Sequence, residues 1–165
     1  MKKILLIIIG LLASLSAIAH PTASNLSKEI KRQGARAVIA ALYANEEKEW
    51  QYVTTQIAKG EKGWLDIASQ LAVGTDAASA ETLSSAVALA IPHNSAGVIN
   101  ILTEKYRPLS RSQVCSLPFY QLTEEQFNQY VMDAIRTLYK IPGGKTCLNI
   151  MIDTIGQSAA FIADN

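Results

Sequence analysis

Apolar residues recur at helical spacing along almost the whole chain, and no run alternates as a half-buried strand would. Leu26, Ile30, Ala37, Val38, Ala41 and Leu42 share one stripe, with Ser24 and Asn25 as capping candidates, and predict a first helix ending near Asn45. A second starts there with Glu46 and Glu47 in its first turn, where the helix dipole favours acids. It carries Trp50, Val53 and Ile57 inward and stops at Gly60. Trp64, Leu65, Ile67, Ala68 and Leu71 form a third before Gly74. Thr75-Asp76 opens a fourth, alanine-rich from Ala77 to Ala90, with Leu83, Val87 and Ile91 on its stripe and Pro92 as its stop.

Asn94 or Ser95 caps a fifth helix through Val98, Ile101 and Leu102. Thr123-Glu124-Glu125-Gln126 is a capping box that opens a sixth, with Phe127, Val131, Ala134, Ile135 and Leu138 inward and Pro142-Gly143-Gly144 as its stop. The last runs from about Thr146 through Leu148, Met151, Ile152, Ile155 and Ala159 to Ile162. Mostly short connections imply antiparallel neighbours, so the expected fold class is all-α, a compact bundle or short helical-hairpin array of about seven helices. The helix pairs 64–91 and 127–155 do not align on any standard repeat, which favours a single non-repeating domain.

Residues 106–122 break the pattern, with Pro108 and Pro118 and no sustained period. A segment that long between helices is commonly functional or contains a short element. Arg107, Arg111, Phe119 and Tyr120 are its candidate partner-binding residues, because Arg and Tyr are enriched at binding hot spots. The competing reading packs Leu117, Phe119 and Leu122 over the core.

The front of the chain has a different logic. Lys2 and Lys3 precede an apolar run, Ile4 to Leu12, and Ala17-Ile18-Ala19 forms a small-residue cleavage site, so residues 1–19 read as a secretory signal removed before His20. The run is shorter than the roughly 20 residues that span a bilayer, and no Cys follows the cleavage site to take a lipid. The expected product is a single helical domain, residues 20–165, periplasmic or secreted, without stable membrane insertion. Loss of Lys2 and Lys3 takes 15 Lys+Arg to 13 against 14 Asp+Glu, a net of −1, which is no electrostatic footprint for nucleic acid.

Cys115 and Cys147 are the two cysteines, and in an oxidising compartment they are expected to pair. Closing a loop of about 33 residues stabilises a fold by roughly 3 to 4 kcal/mol on the chain-entropy model. There is no C-x-x-C redox motif.

Catalytic chemistry is sparse. Gly143-Gly144-Lys145-Thr146 has the tail of a phosphate-binding loop, but Tyr139 stands where its first glycine belongs and no apolar strand precedes it, so it reads as a turn between helices. No G-x-S-x-G elbow occurs, and His20 and His93 are the only imidazoles to serve a nucleophile. His20, as a new N-terminus, would offer an amine and an imidazole to copper, and His93 would add a third nitrogen. In ligand types this resembles the histidine brace of copper-dependent polysaccharide monooxygenases, which is built on a β-sandwich. An all-helical chain is not that scaffold, and the expectation is a mobile terminus at His20, a loop residue at His93, no metal and no cofactor.

Among the acids Asp66, Asp76, Glu81, Glu104 and Asp133, Asp66 is the one least explained by capping. Buried beside Trp64 it would be a general acid for a small peptidoglycan-directed hydrolase. An aromatic content of 7% argues against a sugar cleft lined with stacked rings. The favoured expectation is an exported helical protein that binds an envelope or secreted protein, as an inhibitor or immunity protein does, with no catalytic residue assigned.

Overall fold

The structure, a computed structural model, describes residues 20–44 and 46–157. The predicted signal, residues 1–19, and the end of the last predicted helix lie outside the described residues. Among the described residues there are nine α-helices, two 3-10 turns and no strand, the all-α architecture that the periodicity predicts.

Two helices more than expected arise from local causes. The first predicted helix divides at Gly34 (φ 87°) into α1 (Ala23–Gln33) and α2 (Ala35–Tyr43), with the Gly34 N–H donating to Ile30 O to close α1. Glycine reaches that backbone region at no steric cost, which is why the chain turns there. The cap of α1 is Thr22, whose Oγ1 accepts from Asn25 N, and not Ser24 or Asn25. Glu46 and Glu47 (φ 51° and 61°) form the turn before α3 (Lys48–Ala58) and do not sit in its first turn. α4 (Lys62–Leu71) runs on into a 3-10 turn, Ala72–Gly74.

Asp76 caps α5 (Ala77–Leu89) reciprocally with Ser79. Pro92 does not separate α5 from the next helix; it lies in the first turn of α6 (Ile91–Ile101), where its missing N–H is tolerated. The break falls at Asn94 instead, whose backbone is non-helical and whose Oδ1 accepts from Gly97 N at 2.9 Å, the capping role predicted for it. The second additional helix is α7 (Arg111–Cys115), preceded by a 3-10 turn at Arg107–Leu109. α8 (Glu124–Leu138) has both bonds of its capping box, between Thr123 and Gln126, and α9 (Gly144–Gly156) starts after Gly143 (φ 80°).

One cluster of buried apolar side chains joins the helices, with Trp50, Ile57, Leu65, Leu71, Leu83, Ile91, Leu138 and Met151 at its centre. The alanine-rich α5 lies in the middle, packed by α3, α6, α7 and the 3-10 turn at Arg107–Leu109. Its fully buried Ala88, Ser79 and Ser84 let backbones approach from several sides. Cys115 of α7 and Cys147 of α9 are disulfide-bonded, both buried, with Cα atoms 5.2 Å apart. No described helix is long and apolar enough to cross a membrane.

Candidate binding cleft

The segment that breaks the helical pattern is ordered by five devices. Thr103 N donates to Leu109 O at 2.9 Å, folding the chain back after α6. Ser84 Oγ, buried on α5, donates to Pro108 O at 3.1 Å and ties the 3-10 turn to the central helix. Ser110 caps α7 by accepting from Gln113 N, and the disulfide then fixes the end of α7 to α9. Leu117 leaves α7 with φ 57°, a backbone region that costs a branched side chain energy, and Phe119 N donates back to Leu117 O at 2.7 Å. That tight turn sends consecutive residues opposite ways. Phe119 packs edge-on against the Tyr130 ring, centroids 4.6 Å apart, and Tyr120 projects outward with 81% of its surface exposed.

Tyr120 stands at the mouth of a cleft of about 640 Å³ between the start of α5 and the 3-10 turn at Arg107–Leu109. Val73, itself 58% exposed, forms an apolar lip with it. Asp76 and Glu81 line one wall and Lys105 and Arg107 line another. Arg107 Nε reaches Gln113 Oε1 at 3.4 Å, and Lys105 Nζ lies over the Tyr106 ring, 5.1 Å from its centroid. Hydrogen bonds from the Ser79 hydroxyl and amide hold the Asp76 carboxyl below the usual carboxylate range, so this wall keeps its negative charge to lower pH. The cleft therefore presents both signs of charge beside two exposed apolar groups.

Of the four predicted binding residues, Arg107 and Tyr120 come together in this cleft. Arg111 opens α7 and contacts Glu104 at 3.5 Å, outside the cleft lining, and Phe119 is half-buried against the core, as the packing reading has it. Val73, Lys105 and Gln113 escape sequence reasoning because nothing in their spacing marks a wall built by two separate segments. Asp66 is exposed, ion-paired with Lys62 at 2.7 Å, and lines neither cavity. Two positions from Trp64 on α4, it faces away from the core that buries the indole, so the burial that a general acid needs is missing. Glu104 pairs with Arg111, and Asp133 with Gln129 and Arg136. Gly143 and Gly144 form the turn into α9, with Gly144 packed on the Leu138 carbonyl.

His20 and His93 have separate surroundings. His20 is held on α3 by Glu49 and Tyr52, whereas His93 lines a second groove of about 590 Å³ with Pro92, Gln129, Tyr130 and Asp133. Among the described residues no three His, Cys, Asp or Glu side chains gather to hold a metal. Comparison with protein-family models, with curated proteins and with solved structures found no match for the chain.

Proposed function

We propose that the protein is exported and works by binding an envelope or secreted protein through the cleft between α5 and the 3-10 turn at Arg107–Leu109, in the manner of an inhibitor or immunity protein. The observation that supports this reading is the convergence of Arg107 and Tyr120 on one cleft, in a segment tied down by a disulfide and a strained turn. A preorganised loop loses less entropy on association, and an exposed Tyr beside an Arg is the composition of a binding hot spot. Strain of the kind seen at Leu117 persists where the surroundings over-determine it, and it clusters at sites of function.

The test uses a photo-crosslinking amino acid placed at position 120 and, as a control, at position 139. Tyr139 is as exposed as Tyr120, 82% against 81%, but lies outside the cleft. In the exporting cell, position 120 should give a discrete crosslinked species that position 139 does not, and Arg107→Ala should weaken it. For the isolated pair, truncating a true hot-spot residue costs about 2 kcal/mol or more of binding free energy. Equal crosslinking at the two positions, or unchanged affinity in both Arg107→Ala and Tyr120→Ala, would refute the reading.

A further inference from the structure

His20 is anchored in a way that a mobile terminus is not. Its imidazole stacks on Tyr52, with centroids 4.2 Å apart and planes 10° from parallel, and Tyr52 in turn meets the buried Trp64 edge-on at 6.1 Å. The ring's Nδ1 faces the Glu49 carboxylate and lies 3.3 Å from both of its oxygens. That is long for a hydrogen bond, whose usual length is about 2.9 to 3.0 Å, and it favours neither oxygen. Two ligand atoms bound at about 2.0 to 2.1 Å to a tetrahedral zinc ion stand about 3.3 Å apart.

We infer that the mature N-terminus is a metal site, in which the α-amine and Nδ1 of His20 and the carboxylate of Glu49 hold a Zn(II)- or Cu(II)-class ion. The inference rests on cleavage before His20, which creates the amine. An N-terminal histidine closes a six-membered chelate through its amine and Nδ1, and Nδ1 is the nitrogen turned to Glu49. Copper bound at an ordinary N-terminus goes on to displace the next amide protons. Here the next residue is Pro21, which has no N–H to lose, so the chelate ends at His20 and leaves a coordination position for the carboxylate. Nitrogen and carboxylate donors are the set that both ions accept. Stacking on Tyr52 fixes the ring, so little freedom remains to be lost when the ion binds. The third ligand is thus Glu49, where the sequence alone offers His93.

The experiment titrates ZnCl₂ and CuCl₂ by calorimetry into the chain starting at His20, the same chain with one Ala before His20, the Glu49→Gln variant, and the free peptide of residues 20–24. The expected result is one-to-one binding at least about tenfold tighter than the peptide's, the loss that even outer-shell partners of metal ligands cause when removed. With zinc the added Ala should abolish that advantage without touching the fold. With copper it gives His20 an amide N–H to lose, so the copper arm is read on Glu49→Gln, which should reduce the affinity for both ions to the peptide level, while His93→Ala, titrated alongside, should change nothing. Affinity equal to the peptide's, or unchanged in Glu49→Gln, overturns the site. Intact mass of the exported chain is read separately, and a start other than His20 overturns the inference in the cell whatever the titrations give.

Discussion

Single residues at the α5–α6 junction repair a defect that the sequence itself creates. Pro92 has no N–H, so the carbonyl of Ala88 loses the donor four residues on, and a backbone N–H at the end of α5 and the Tyr130 hydroxyl from α8, at 2.9 Å, donate to it instead. Burial also pushes the Tyr130 phenol far above its ordinary value, which keeps it a donor at any working pH. Tyr130→Phe should therefore destabilise the fold by about 0.5 to 1.5 kcal/mol, the net worth of one hydrogen bond, since the carbonyl keeps its backbone donor, with a lower urea midpoint and unchanged slope. Asp76 gives a pH dependence. Its carboxyl is held low by Ser79, so the stability it contributes is present above the unfolded carboxylate value and lost as pH falls through the lower, folded one. Below about pH 4 the melting temperature of the wild type should fall faster than that of Asp76→Asn, which keeps a capping oxygen without the charge. Parallel melting curves of the two proteins from pH 6 to pH 2 would contradict this.

Helix existence and most inward faces were legible in the chain because apolar spacing is a property of one helix at a time. The cap at Asp76, the capping box at Thr123 and the cap at Asn94 are legible for the same reason, since each is a contact three residues long; the reciprocal bond from Ser79 that completes a box at Asp76 is seen only in the structure. What escaped depends on partners distant in sequence. Gly34 splits a continuous apolar stripe, and the stripe is equally satisfied by one helix or two. α7 has five residues, too few for a period, and stands because Ser110 caps it and Cys147 holds it. Tyr130 does not stand out as inward because the carbonyl its hydroxyl meets, Ala88 on α5, is 42 positions away. A similar distant constraint sits at Gly74, where the 3-10 turn after α4 meets the start of α2. A Cβ there would lie 2.3 Å from Arg36 N and 2.7 Å from the Ala35 carbonyl carbon, both backbone atoms. Gly74→Ala must push two elements apart, and overpacking of this kind costs about 1 to 3 kcal/mol. Gly63→Ala, whose Cβ would find ordinary contact with Ala23 at 3.7 Å, is the matched control and should melt close to wild type.

Across the whole molecule, the disulfide couples stability to the cleft. It closes a sequence separation of 32 residues and ties the α7 end of the irregular segment to α9, while the remaining helices pack through the apolar core without it. On the chain-entropy model its removal should cost roughly 3 to 4 kcal/mol of unfolding free energy. The double variant Cys115→Ala, Cys147→Ala should consequently stay helical but unfold at lower urea. Both sulfurs are buried, so the bond in the folded wild type should react with reductant only through opening of the structure, at a rate that rises with added urea. Leu117 and Phe119 stand two and four positions after Cys115, so release of that end of α7 should loosen the turn that directs Tyr120 outward. Partner affinity in the double variant should fall by a larger fraction than the far-ultraviolet helical signal, and the loss should lie mostly in the dissociation rate or in added entropy of binding. A variant that keeps full partner affinity despite the lost stability would place the binding surface on a helical face away from α7, and the cleft would then be a by-product of how α5 meets the 3-10 turn.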